Sequence, residues 1–441
     1  MKPAEIVKAV RDAGVVGAGG AGFPTHVKLE ARATWCIANG AQCEPLIRGD
    51  GYLMERRAKD VVAGLSLAMQ ATGATRGVIA LKAKHEEALA ALEKEVAGRE
   101  NISIHLLKDF YPAGDEHLLV YEITGQVVPP GGIPIQVGVV VNNVETLVNI
   151  ADAVRGVAAI ERIVTVAGAV ARPMTLAVPV GMSIASLIDI AGGATVEEFR
   201  IIEGGPMMGK LVEDVSGPVK KTTSGLIVLP TNHEQVCKRL RPLDKILLRS
   251  RTVCLNCRYC TDLCPRFLLG HPLEPHKIAR VMNYTLDLLP EVVANAVLCC
   301  ECGVCESYAC VMGISPVRMY QEVKAKLKDL GWKSKPYEAP EPRGYRAGRF
   351  IPVSRLIARL GLTDYDLPAE WADERTEVAE VTIPLRQHLG APAEAVVKRG
   401  DKVKRGQLIG EIPARALGAR VHASIAGTVV EVGKDVRIVR N

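Results

Sequence analysis

The sequence is poor in aromatic residues, which make up 4% of its 441 positions. Stacking platforms for single-stranded nucleic acid are therefore not expected. No uninterrupted apolar run approaches the roughly 18 residues that a membrane span needs. The opening MKPAEIVKAVRDAG is an amphipathic helix pattern without the apolar stretch of a signal segment. A strong excess of one charge is lacking too. The 55 basic and 49 acidic side chains leave +6, too small and scattered to argue for nucleic acid but consistent with anionic cofactors or acidic partners. These absences point to a cytoplasmic protein, or one peripheral to something larger. The composition, 48% hydrophobic, is that of a globular chain long enough for two to four domains.

Periodicity divides the chain. Residues 1–155 alternate helical stretches (EIVKAVRDA, DVVAGLSLAMQATGA, EEALAALEKEV) with strand-like ones (ATWCIANGA, RGVIALKA, ISIHLL). This order predicts an α/β layer fold on a mostly parallel sheet. Residues 160–232 hold short β-like runs broken by Gly and Pro around one helix, IASLIDIAG, and read as a small α+β domain. Residues 234–332 read as helical, with Ser315 able to cap a helix that has Pro316 at its first position and Gly331 at its end. The Pro-, Gly- and charge-rich stretch 333–352 reads as a linker. After VSRLIARLGL, residues 376–441 look all-β.

Nine of the 12 cysteines fall between Cys254 and Cys310. In a long chain such clustering points to metal ligation in preference to disulfides. Cys254, Cys257, Cys260 and Cys264, followed by Pro265, reproduce the spacing of the bacterial ferredoxin motif. Zinc sites favour paired CxxC units around a longer loop instead. Cys299, Cys302, Cys305 and Cys310 form a second motif, with one extra residue in the last gap and Val311 in place of proline. Two 4Fe–4S clusters are therefore expected. The crossed rule gives Cys254, Cys257, Cys260 and Cys310 to one cluster, and Cys264, Cys299, Cys302 and Cys305 to the other. Cys300, beside Cys299, is an alternative ligand. Cys36, Cys43 and Cys237 read as buried packing thiols.

The run GAGGAG places Gly17, Gly19, Gly20 and Gly22 in a GxGxxG pattern. It follows a helix and precedes Phe23-Pro24, so it is not the usual dinucleotide turn between a strand and a helix. Bare backbone still lets N–H groups approach an anion or a flat ring. GAGGAGFPTHVKL (residues 17–29) resembles the flavin loop of the NADH-binding subunit of respiratory complex I and of its counterpart in Rnf complexes, the RnfC protein. NGAQCEP (39–45), YPAGDE (111–116) and VNNVET (141–146) follow in the order of that family. The resemblance implies FMN contacts at Gly17, Gly19, Gly20, Gly22, Lys28, Asn39, Asn142 and Asn143. It also implies that Glu44, Asp115 and Glu116 lie near the nicotinamide nucleotide of NADH. This chain departs from the family at Ala18, where the loop usually carries arginine, and in YPAGDE, where the family reads YxCGEE.

EGGPMMG (203–209) and KKTTSG (220–225) resemble the soluble-ligand-binding β-grasp (SLBB) domain of the same proteins, although a structural spacer explains them as well. GDKVKRGQ (400–407) and HASIAG (422–427) resemble barrel-sandwich hybrids of the lipoyl type. The hairpin tip, residues 413–420, holds no lysine, so a structural or docking role replaces a swinging arm. RnfC proteins carry a related module at the N-terminus. A barrel placed after the clusters, together with CCECGVCESYAC, resembles the cobalamin reductases of propanediol-utilisation microcompartments. That resemblance implies an enzyme taking electrons from NADH through FMN and the clusters to cobalamin. It implies cobalamin or its adenosyltransferase, and shell proteins, as partners, and a place in the microcompartment lumen or at its shell. An Rnf-like electron-input protein and a non-catalytic electron carrier are the rival readings.

Overall fold

The first lobe is built on four parallel strands. β1 (Trp35–Gly40), β2 (Arg76–Lys82) and β3 (Ile102–Leu107) run outward in sequence, a two-residue strand β4 (Phe110–Tyr111) stands apart, and β5 (Val139–Asn143) returns to the other side of β1. The order is β3-β2-β1-β5, with every pair parallel. β2 is buried from Gly77 to Lys82, as expected of a parallel strand covered on both faces. Helices Ala58–Thr72 and Val144–Val154 pack against each other closely enough that a Cβ on Gly64 would sit 2.0 Å from the Leu147 carbonyl oxygen. Only glycine fits there. The computed structural model describes residues 1–283, 290–373 and 377–441. The expected start of the last module at residue 376, and residues 284–289 of the expected cluster region, lie outside the described residues.

The next lobe is a mixed sheet of β6 (Glu161–Gly168), β7 (Met174–Pro179), β8 (Phe199–Glu203), β9 (Lys210–Leu211) and β10 (Gly225–Pro230), covered by helix Ile184–Ile190. Short helices follow around the cysteines. Ser315 does stand ahead of helix Pro316–Asp329, but its side chain makes no bond to that helix; the hydroxyl serves Glu306 instead.

The stretch read as a linker makes specific contacts. β11 (Ile351–Pro352) pairs antiparallel with β4, and Phe350 stacks on Phe110 at 4.2 Å between ring centroids. Arg346 pairs with Glu122 and lies 4.8 Å over the Tyr121 ring. Farther on, β12 (Glu370–Ala372) adds parallel to β7 and extends the second sheet to the order β12-β7-β6-β10-β8-β9.

The C-terminal module is two small sheets. β13 (Glu380–Pro384), β14 (Glu394–Ala395), β15 (Lys402–Val403), β16 (Leu408–Glu411), β17 (Val421–His422), β18 (Gly427–Val432) and β19 (Asp435–Val439) arrange as β13-β19-β18-β15 and β14-β16-β17. The module shares one continuous apolar core with the β-grasp sheet: Val166, Leu176 and Leu226 from the sheet join Ile383, Ile409 and Ile438 from the barrel. Ser424 Oγ donates to the Val180 carbonyl at 2.6 Å. The barrel also touches the first lobe. Leu389 N donates to the Gly22 carbonyl at 3.2 Å, and Arg420 pairs with Asp12 at 2.6 Å. Buried Lys221 donates to the Gly14 and Arg420 carbonyls at 2.7 and 3.0 Å.

Candidate functional site

In the first sheet the chain moves outward from β1 to β3 and then switches to β5 on the opposite side. Open α/β sheets bind ligands at such a switch, beyond the carboxyl ends of the strands. Here those ends carry Asn39 and Asn143, opposite each other in register, with Asn142 facing Ala38. Asn39 is held by the fold itself. Its Nδ2 donates to Gly114 O at 2.9 Å, and its Oδ1 accepts from Ala41 N at 3.2 Å. Asn143 caps helix Val144–Val154 by accepting from Glu145 N at 2.9 Å, while its Nδ2 donates to both Asp50 oxygens at 3.1 and 3.0 Å. Burial pushes the Asp50 carboxyl up to about 6.

The glycine loop closes over this crevice. Gly17 N donates to Phe23 O at 2.9 Å, and Val16 bridges Pro24, so the loop is a tight hairpin ahead of the short helix Thr25–Leu29. At the family's arginine position, Ala18 is fixed through its backbone. Its N–H donates to Thr146 Oγ1 at 2.9 Å, and its carbonyl accepts from Arg162 Nη2 at 2.9 Å. Arg162 is itself buried and paired with Glu145. Gly19 lies against Asn143, and Gly20 faces open space. Lys28 Nζ donates to Val141 O at 2.8 Å and stands 3.8 Å from Glu116 Oε1.

These residues suit an anionic flavin nucleotide. Asn142 is buried, yet its Nδ2 donor has no partner among the described residues. A buried, unpaired amide costs about 1–3 kcal/mol, and a ligand acceptor removes that cost. The bare Gly19–Gly20 backbone and the Lys28 ammonium supply what a ring and a phosphate need.

The three acids expected beside the nicotinamide nucleotide do not stand together. Glu116 is half exposed near Lys28. Glu44 is instead enclosed by the β-grasp loop, accepting from Met207 N and Met208 N at 3.0 Å each, and burial pushes its carboxyl up to about 7. Asp115 caps helix Glu116–Thr124 through His117 N and Leu118 N, and its second oxygen pairs with Arg266 at 2.8 Å. Burial acts to raise Asp115, but Arg266 and His117 outweigh it and hold the carboxyl below its ordinary range.

The two cysteine loops share a backbone pattern. In the first, Asn256 and Arg258 adopt left-handed φ of 59° and 64°; in the second, Glu301 and Gly303 do so at 59° and 74°. Counted from Cys254 and from Cys299, these are the same positions. The register of the second loop therefore begins at Cys299 and not at Cys300. Backbone N–H groups already serve two of the thiols, Glu301 to Cys299 and Ile314 to Cys310, both at 3.3 Å. Cys260 lies within the electrostatic reach of Cys310, Cys257 and Cys254. Cys305 feels Cys299, Cys264 and Cys260, and Cys302 feels Cys300 and Cys264. These neighbours bring the two cysteine loops together without by themselves dividing the thiols into two sets.

Cys264, Cys299, Cys300, Cys302 and Cys305 line an apolar cavity with Pro265 and Tyr320, whereas Cys257 is exposed. One set is interior and the other reaches the surface. Burial pushes Cys260 and Cys264 up to about 12. Several thiolates in one such place require cations among them, which a multi-iron core supplies.

Cys300 shares the cavity of the interior set. A hydrogen bond from Cys302 lowers its thiol pKa, and Arg266 also bonds it. Tyr111, 2% exposed, donates its hydroxyl to Cys302 O at 2.8 Å while lying beside Cys43 and Glu44. Cys36 and Cys43 are interior thiols, but Cys237 is exposed. Sequence reasoning missed Asp50, Tyr111, Arg162, Lys221 and Arg266. Tyr111 and Lys221 lie inside the YPAGDE and KKTTSG segments and Arg266 directly follows the Cys-Pro pair, so these three had a recognisable signal beside them, whereas Asp50 and Arg162 had none.

Fold and site define a modular oxidoreductase that carries FMN and iron–sulfur clusters. Family models match in four places: a Nuo51 FMN-binding domain over residues 10–152, an SLBB domain over 163–211, a 4Fe-4S dicluster domain over 253–315, and an RnfC barrel sandwich hybrid domain over 373–440. The chain is 47% identical over 434 residues to the cobalamin reductase PduS of Salmonella typhimurium strain LT2, covering 98% of this chain and 95% of that one. It is 48% identical over 428 residues to the PduS of Citrobacter freundii, covering 96% and 93%. The C component of the Na(+)-translocating ferredoxin:NAD(+) oxidoreductase complex of Acetobacterium woodii is 37% identical over 268 residues, 59% of this chain and 57% of that one. A solved NAD+-reducing nickel–iron hydrogenase in its H2-reduced state shares the fold at a TM-score of 0.50 and 23% identity, over 83% of this chain and 68% of that one. The chain belongs to the PduS cobalamin reductase family.

Proposed function

We propose that the chain takes electrons from NADH at the β1–β5 crevice and delivers them singly to cobalamin, from cob(III) and cob(II) toward cob(I)alamin, for the remaking of adenosylcobalamin. When bound, FMN accepts two electrons together and the 4Fe–4S clusters pass them on one at a time. Gly17, Gly19, Gly20 and Gly22 offer backbone to the flavin, Lys28 its positive charge, and Asn39, Asn142 and Asn143 orient it. Glu116 lies on the side open to the nicotinamide nucleotide. Glu44 and Asp115 act by holding the crevice wall. Cys264, Cys299, Cys302 and Cys305 hold the inner cluster; Cys254, Cys257, Cys260 and Cys310 hold the outer one.

One observation carries this reading: the lobe that bears the crevice meets the inner cysteine set, the Tyr111 hydroxyl donating to the Cys302 carbonyl oxygen at 2.8 Å. The PduS relatives supply the acceptor, since both are named for cobalamin reduction. Cobalamin or its adenosyltransferase is the partner we assign, with shell proteins of a propanediol-utilisation microcompartment around it. No helix among the described residues is long and apolar enough to cross a membrane.

The test is preparation without oxygen, quantification of iron, sulfide and flavin, and stopped-flow mixing with NADH before an acceptor screen. Flavin bleaching by NADH followed by reduction of cob(II)alamin is expected. A flavin-loaded chain that NADH leaves oxidised removes the dehydrogenase claim. The likeness to the Acetobacterium woodii protein favours ferredoxin as the second acceptor in that screen.

A further inference from the structure

The cluster-bearing lobe has an outward face that the reading above leaves unused. Helix Leu243–Val253 runs into Cys254, and the loop beyond leaves Cys257 exposed. Large apolar side chains stand in solvent around that thiol. Leu255 is 66% exposed and Tyr259 50% on the loop itself, while Val311 is 59% exposed beside Cys310. Leu248, on the helix, is exposed as well. The groups are neighbours in space. Cys260 lies near Cys310, and Arg249 Nε donates to Met312 O at 2.7 Å, fastening the helix beside Val311.

Positive charge is interleaved with them. Residues 238–260 contain seven Lys and Arg side chains against one Asp, an excess that matches the whole chain's net +6. Arg239 turns inward to the Gly209 and Pro206 carbonyls. Lys245, Arg249, Arg251 and Arg258 remain exposed. An apolar centre with a charged rim is the anatomy of an interface.

We propose that this face docks an acidic electron-carrier protein, which draws single electrons from the outer cluster. The proposal rests on the assignment above of Cys254, Cys257, Cys260 and Cys310 to that cluster. One electron leaves the cluster and one arrives at the carrier's own redox centre; no bond is made or broken. Charge complementarity selects the partner and speeds its approach. A membrane surface fits less well. The helix already turns Ile246 and Ser250 inward, Ser250 Oγ donating to Ala279 O at 2.7 Å, so its apolar side is covered. The exposed apolar groups ring the cysteine loop and do not line one helix face, as surface-lying helices require.

The test uses the full-length protein with flavin and clusters loaded, and an acidic flavodoxin as probe. Titration calorimetry at low and high salt should show binding that weakens with salt. The double variant K245E/R251E should bind about tenfold more weakly at low salt, as loss of rim charge predicts. Leu255→Ser should weaken binding while keeping the salt slope. NADH-dependent bleaching of the variants' own flavin and clusters should match the wild type. Absence of flavodoxin binding, equal binding of the basic cytochrome c, unchanged affinity in K245E/R251E, or capture by phosphatidylserine vesicles in place of flavodoxin would each overturn the proposal. A wild type without iron, or one that NADH does not bleach, sinks the functional reading instead. The calorimetric result needs no turnover and is judged separately.

Discussion

Asp115 and Arg266 form an ion pair at 2.8 Å, each side chain 10% exposed, that joins the flavin lobe to the cluster lobe. The guanidinium also bonds Cys300, and the carboxylate caps the helix that begins at Glu116. Each charge is tolerated in the interior because the other is present. Breaking such a pair from one side strands a buried charge and costs about 3–5 kcal/mol. Asp115→Asn and Arg266→Met should each lower stability by about that amount in urea unfolding followed by circular dichroism. The double variant should lose less than the sum. Additive losses would mean that the two groups act independently.

The left-handed positions shared by the two cysteine loops lead to a prediction about ligands. Cys299→Ser should abolish the inner cluster's spectrum, and Cys300→Ser should leave iron content unchanged. Cys257→Ala should remove about half the iron, since two clusters of equal size are expected, and leave FMN in place. Loss of flavin with iron intact in Cys257→Ala would show the lobes to be wrongly assigned.

The unpaired amide of Asn142 should be measurable through flavin affinity. Asn142→Ala should weaken FMN binding about fivefold, the equivalent of roughly 1 kcal/mol for one hydrogen bond. Fluorescence quenching on titration of the stripped protein reads this directly. Identical affinities would place the flavin elsewhere in the crevice.

Lys221 gives a pH signature. Burial lowers its pKa from 10.5 to about 7. Below pH 7 both folded and unfolded chains hold the proton, and the folded chain bears the full cost of the buried charge. Between about 7 and 10.5 the unfolded chain alone keeps it, so this group's contribution to stability rises with pH. The slope is at most about 1.4 kcal/mol per pH unit. Lys221→Met should remove that rise, so the stability of the variant relative to wild type should fall as pH climbs through the window. A difference that is flat with pH would show that Lys221 stays charged or stays solvated.

Much of this was legible in the sequence. Periodicity marked β1, β2 and β3 with the helices between them: β2 is a continuous buried run, whereas β3, at the sheet edge, is buried only at Ile102 and Leu107. Thiol spacing marked both cysteine loops, because wrapping a cluster constrains neighbours along the chain. What escaped were pairings between distant segments. Nothing near Glu44 announces the backbone of Met207 and Met208, and nothing near Tyr111 announces Ile351 or Cys302. Pro and Gly in residues 333–352 mark an irregular path correctly, yet Phe350 and Arg346 turn that path into a strap across the flavin lobe. The shared core of barrel and β-grasp sheet was hidden for the same reason: alternating strands look alike whether their apolar faces meet each other or another module.

The contact of Arg420 with Asp12, and of Lys221 with both the Gly14 and Arg420 carbonyls, brings the barrel close to the beginning of the chain as well as to its end. A module seated there is reachable by a tether from either terminus. The N-terminal position of the related module in RnfC proteins and the C-terminal position here then need no change in where the domain sits, only in which peptide bond leads to it. A permuted gene with the last 60 or so residues moved ahead of the first helix should yield the same assembled molecule.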